Sequence, residues 1–187
     1  MKSQLQLERI KLVQSEREHA PALFKFWSDP MVTRYMNIET FTTVEEAITM
    51  IDLLNKFAAK KQANRYTIIT MKNDEIIGSC GFNYFDYDNA KAEVGYDLGK
   101  EYWGRGFASE VVMTLLRYGF QELHLNRIEA KVAPKNERSI KLLERLGFSY
   151  EGLLRQSEKT KDGFIDVMLY SILKQDFSKQ ASDKMDK

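Results

Sequence analysis

The 187-residue chain has one cysteine, Cys80, and two histidines, His19 and His124. One thiol cannot build an intrachain disulfide framework. Three scattered Cys and His side chains do not make the four-ligand set of a structural zinc site, so no metal is expected. An excess of either charge is also missing: 28 basic side chains face 27 acidic ones, a formal net of +1. No basic field forces a nucleic-acid partner, and none is expected. Any phosphate must therefore be held by a few local donors. Nothing approaches the run of about twenty apolar residues that a membrane span needs. The opening "MKSQLQLERIKLV" lacks the apolar stretch of a signal peptide. A cytoplasmic protein with no membrane partner is expected. Repeats and low-complexity linkers are absent, which predicts one domain over residues 1–177 and a frayed polar tail, "SKQASDKMDK", over 178–187.

What is present is material for a core: 43% of residues are hydrophobic. "LERIKLVQ" alternates as a half-buried strand does. "SEREHAPALFKFWSD" reads as a helix, with Ser15 as its cap and Glu18 three residues on. "TTVEEAITMIDLLNKFAAKK" is a longer amphipathic helix striped by Val44, Ile48, Ile51 and Leu53 or Leu54. Two β-rich runs around Asn73 and Asp74 predict a hairpin.

In "KAEVGYDL", Ala92, Val94, Tyr96 and Leu98 face one way and Glu93 and Asp97 the other. A helical stripe of Phe107, Val111, Leu115 and Tyr118 follows. "RIEAKVA" is a strand with Ile128, Ala130 and Val132 on one face, broken by Pro134. "NERSIKLLERLG" is a helix with Asn136 at its start and Gly147 as its C-terminal cap. Two strands, turning around Asp162 and Gly163, close the chain. The strand–helix–strand unit over 91–133 predicts a parallel pair within a mixed α/β domain.

Between that strand and helix stands "EYWGRGFASEVV". A helix start offers unpaired N–H groups and a partial positive charge. Gly104 and Gly106 allow close approach, Ala108 is small, and Arg105 adds a cation. The spacing is not that of a nucleoside-triphosphate loop or a dinucleotide fingerprint. From glycines alone, a phosphate cradle and a plain turn stand level. Further on, Asn136 and Ser139 lie one helical turn apart, as an N-cap and first-turn serine or as ligand-facing groups.

Together, "AEVGYDL", "YWGRGFASEVV", "RIEAKV" and "NERSIKLLERLGF" resemble the GNAT superfamily of acetyl-CoA-dependent N-acetyltransferases. They are most similar to the RimJ/RimL type, which acetylates N-termini of ribosomal proteins. The family loop reads Arg/Gln-x-x-Gly-x-Gly/Ala. Trp103, Gly106 and Ala108 fill those places, and tryptophan is usual in that branch. The resemblance implies a central, mostly antiparallel sheet with helices on both faces and one splayed parallel strand pair.

It also implies acetyl-CoA as cosubstrate. The stretch Trp103, Gly104, Arg105, Gly106, Phe107, Ala108 and Ser109 would hold the pyrophosphate. Backbone groups of Tyr96, Asp97 and Leu98 would hold the pantetheine arm, and Asn136 would bond to it. Glu93 and Glu158 are the candidate bases, and Ser139 matches the serine that protonates the departing thiolate. Trp27, Tyr35, Met36 and Tyr84 would shape the acceptor pocket. Cys80 reads as a buried structural thiol.

The partner is an amine acceptor, foremost a protein N-terminus. The alternatives are a small amine, with Asp86 and Asp88 suiting a polycation, a silent acyl-CoA sensor, or an interaction module. A monomer or homodimer is expected.

Overall fold

The structure is a computed structural model that describes residues 2–160 and 163–182. Its strands are β1 (Gln4–Gln6), β2 (Ile10–Gln14), β3 (Asn64–Thr70), β4 (Ile76–Asp86), β5 (Lys91–Leu98), β6 (Arg127–Val132), β7 (Ser149–Thr160) and β8 (Gly163–Leu173). Its helices are α1 (Ala20–Trp27), α2 (Pro30–Thr33), α3 (Val44–Ala59), α4 (Phe107–Arg117), α5 (Glu137–Arg145) and α6 (Lys174–Ser182). Strand order is β1-β2-β3-β4-β5-β6-β8-β7, antiparallel apart from the parallel β5–β6 pair. The architecture is the expected mixed α/β one. By contact density the chain forms two compact units, one running through Phe85 and joined by Val94–Leu115, the other made of Asp86–Glu93 and the chain from Leu116 on.

In the first unit, alternation drives the strands inward on one side: Ile10 and Leu12 of β2 are fully buried, and so is Ile68 of β3. The expected first strand is two, because Leu7 N–H turns back to the Ile10 carbonyl. The start of the first helical segment also differs. Ser15 is buried and hydrogen-bonds Thr67 at 3.0 Å. The capping box is formed by Glu16 and His19 around a short 3-10 turn, Arg17–His19. Asp29 caps the short α2, which Pro30 opens. Thr43 and Glu46 make a reciprocal capping box on α3. The hairpin of β3 and β4 turns through Asp74, at φ 53°.

In the second unit, Ile128, Ala130 and Val132 are buried as their alternation predicts. Asn136 caps α5, and Gly147 follows it at φ 85°. β7 and β8 pair antiparallel, while Asp162 of the expected turn lies outside the described residues. Helix α6 continues past Phe177, where the sequence reading had ended the domain; Phe177 is anchored against Phe120 with ring centroids 5.3 Å apart.

Candidate active site

The glycine turn belongs to the first unit. A 3-10 turn over Lys100–Tyr102 leads out of β5, and Trp103 Nε1 donates to the Leu98 carbonyl at 2.8 Å. That bond fastens the start of the turn to the end of the strand. Gly104 and Gly106 then take φ of 74° and 83°, the left-handed region that glycine enters without cost. A Cβ on Gly104 would meet nothing within 4 Å, and one on Gly106 would meet only Arg9 Nη2, at 3.4 Å. The glycines are therefore there for backbone shape and for open space above them. The Glu110 N–H to Gly106 carbonyl bond, at 3.2 Å, opens the α4 ladder. The amides of Phe107 and Ala108 precede it and face out of the helix end. The geometry is one a phosphate fits.

Arg9, between β1 and β2, escaped the sequence reading. Its Nε donates to Glu110 Oε2 at 2.8 Å and its Nη1 to the Arg105 carbonyl at 3.2 Å. Its guanidinium lies 4.8 Å from the centre of the Phe107 ring. The Arg105 guanidinium stands over the Tyr102 ring at 5.8 Å. Two cations thus flank the turn, one of them delivered from about a hundred residues upstream.

The parallel ladder between β5 and β6 covers Lys91↔Arg127, Ala92↔Ile128 and Glu93↔Glu129. β5 itself runs on to Leu98, through Tyr96 and Asp97. Asp97 does not sit on an open polar face as its alternation suggests. It is 5% exposed and takes hydrogen bonds from Trp27 Nε1 at 3.1 Å, Arg65 Nη2 at 2.5 Å and Ser79 Oγ at 2.5 Å. A buried carboxylate needs such partners. Its backbone stays in the strand, but its side chain is part of the scaffold. Trp27 is 2% exposed and stacks edge-on with Phe41, so its indole serves Asp97. Tyr35 and Tyr84 are open, at 37% and 54% exposure. Asp86 is engaged by Asn89 and Lys91. Cys80 is fully buried, and burial pushes its thiol pKa up, which removes it as a nucleophile.

The candidate catalytic residues belong to the second unit. Glu93 and Glu158 are brought to one cation: Lys131 Nζ lies 3.1 Å from Glu93 Oε2 and 3.9 Å from Glu158 Oε1. Burial alone would lower the Lys131 pKa. The charge and hydrogen bond of Glu93, helped by Glu158 and Glu129, outweigh burial and leave it raised. Lys131 escaped the sequence reading, although its alternation in "RIEAKV" turns it away from Ile128, Ala130 and Val132. Its partners were not legible. Asn136 Oδ1 accepts from the Ser139 N–H at 3.3 Å, so its oxygen is a cap while its amide nitrogen is a donor.

A profile of the acetyltransferase (GNAT) domain matches residues 9–149. The chain belongs to the GNAT acetyltransferase family. An uncharacterised N-acetyltransferase, p20, of Bacillus licheniformis is 53% identical over 174 residues, 93% of this chain and 98% of that one. The ribosomal-protein-serine acetyltransferase of Escherichia coli is 36% identical over 100 residues, 54% of this chain and 56% of that one. The solved structure of RimL, the ribosomal L7/L12 α-N-protein acetyltransferase in complex with coenzyme A, superposes with a TM-score of 0.81 at 22% identity, covering 89% of this chain and 95% of that one. This GNAT chain is an acyltransferase. None of its helices, among the described residues, is long and apolar enough to cross a membrane.

Proposed function

We propose that the enzyme moves the acetyl group of acetyl-CoA onto the α-amino group of a protein N-terminus, as a member of the RimJ/RimL branch. The observation that carries the cosubstrate is the pair of left-handed glycines at the start of α4, with Arg9 and Arg105 beside them. In this reading the amides of 105–109 hold the pyrophosphate. The backbone of Tyr96, Asp97 and Leu98 pairs with the pantetheine arm. Support for the acceptor comes from the kinship with the ribosomal-protein-serine acetyltransferase. The engagement of Asp86 by Asn89 and Lys91 argues against the polycation alternative.

The acceptor nitrogen attacks the thioester carbonyl, the C–S bond breaks, and the amide forms. The amine proton passes to Glu93 or Glu158, directly or through water. Ser139 gives the leaving thiolate its proton and takes one back from water, while the proton held by Glu93 or Glu158 returns to solvent. An α-amino group is roughly a tenth neutral at pH 7, against less than about a thousandth for lysine, so the α-amine needs less help.

The test is a peptide carrying both a free N-terminus and a lysine, incubated with enzyme and acetyl-CoA and sequenced by fragmentation mass spectrometry. Acetyl on the α-nitrogen is expected, and acetyl on the lysine alone refutes the acceptor assignment. Glu93→Gln and Glu158→Gln together should lower kcat by about 10²-fold or more and leave acetyl-CoA affinity in place.

A further inference from the structure

The structure assigns Lys131 a role that rests on the reading above: it is the positioning residue that selects α-amino acceptors over side-chain amines. The residues alternate across β6, so Arg127, Glu129 and Lys131 share the face opposite the buried one. Arg127 is occupied by Glu129 at 2.7 Å and by Glu151 at 2.9 Å. Lys131 is left to serve Glu93 and Glu158, one from the parallel neighbour β5 and one from β7. All three side chains are partly exposed, with side-chain accessibilities of 33% for Lys131, 17% for Glu93 and 23% for Glu158. The cluster can therefore meet an acceptor.

A lysine or polyamine arrives almost wholly protonated at pH 7. To react there it must first be bound as a cation and then give its proton to a carboxylate. The position between Glu93 and Glu158 is one a cationic acceptor would take, and Lys131 holds an ammonium in it. Such an acceptor competes with the intramolecular ion pairs that Lys131 makes with Glu93 and Glu158. An α-amine arrives partly neutral and needs a proton acceptor only as it attacks. Lys131 thus holds both carboxylates in place for the second task while blocking the first.

The experiment compares wild type with Lys131→Met and Lys131→Arg. Three acceptors are used: a lysine-free peptide with a free N-terminus, Nα-acetyl-lysine methylamide, and spermidine. Methionine keeps the aliphatic stem and removes the charge, and arginine keeps the charge. Thermal melting and acetyl-CoA binding check that each variant is folded, and Lys131→Gln is a second neutral variant should Lys131→Met melt early.

The neutral variant should shift the ratio of kcat/KM, side-chain amine over α-amine, upward by roughly tenfold, and Lys131→Arg should keep the wild-type ratio. A folded neutral variant whose ratio stays within about twofold of wild type overturns the assignment, even if both rates fall together. If wild type acetylates only side-chain amines, the α-amino reading fails and the selector role of Lys131 falls with it. If wild type acetylates the N-terminus and the ratio does not move, the α-amino reading stands and only the role of Lys131 fails.

Discussion

Arg9 and Glu110, 101 positions apart, are joined by two hydrogen bonds: the Arg9 amide donates to Oε1 at 3.2 Å and its Nε to Oε2 at 2.8 Å. Glu110 lies in the first turn of α4, so the contact ties the β1–β2 connection to the glycine turn. Acid in a first turn favours the helix dipole, but it opposes a bound anion. Arg9 neutralises it and adds a cation to the loop. Arg9→Ala should weaken acetyl-CoA binding by roughly tenfold, with a stability loss of no more than about 1 kcal/mol. Arg9→Lys should restore little, because a lysine cannot reach Glu110 and the Arg105 carbonyl with one planar fork. Calorimetric titration and a thermal melt separate the two effects.

Gly106→Asp places a side chain where φ is 83° and where Arg9 Nη2 is the near neighbour. The backbone strain costs about 1–2 kcal/mol. The larger effect is on the ligand, since the carboxylate fills the open space and opposes phosphate charge. A folded variant with unaltered acetyl-CoA affinity would falsify the phosphate assignment.

Asp97→Ala removes the acceptor of two buried donors and one part-buried one, and leaves the Arg65 guanidinium without its carboxylate. Breaking one side of such a pair costs about 3–5 kcal/mol. Chemical denaturation should show the midpoint falling at constant m. Asp97→Asn, which keeps an acceptor oxygen, should lose less. Equal stability of the alanine variant and wild type would remove Asp97 from the scaffold.

Stability should fall in acid through Glu151. A hydrogen bond from Ser171, and then the Arg127 guanidinium, hold its carboxyl below the ordinary carboxylate range. A depressed folded pKa stabilises the fold above the unfolded value and is lost as pH falls through the folded value. The melting temperature should therefore decline below about pH 4.5. Glu151→Gln should have a lower melting temperature at neutral pH and a shallower acid decline. Parallel curves for the two proteins would rule this linkage out.

How much was legible in the sequence depended on range. The buried faces of β5 and β6 were written in local alternation, and the glycine turn in six adjacent residues. Asn136 was readable as a cap because a cap acts on its own helix. Asp97 was misread because its burial depends on Arg65, thirty-two positions away, supplying the compensating charge. Ser15 and Glu18 had the spacing of a capping box, but Thr67 of β3 claimed the serine and the box moved to Glu16 and His19. Arg9 and Lys131 look like ordinary surface cations until the fold supplies their partners. Helix α6 has no apolar stripe to announce it, with Phe177 as its buried anchor. The glycine turn was thus readable from adjacent residues, whereas the charges around Lys131 come together from three separate strands.

The most direct test is calorimetric titration with acetyl-CoA, followed by coenzyme A thiol release in the presence of a lysine-free peptide with a free N-terminus. The account predicts one saturable binding event, lost in Gly106→Asp, and thiol release that depends on the peptide. No binding would reduce "WGRGFA" to a turn, and binding without release on any amine would contradict the catalytic reading of Glu93, Ser139 and Glu158.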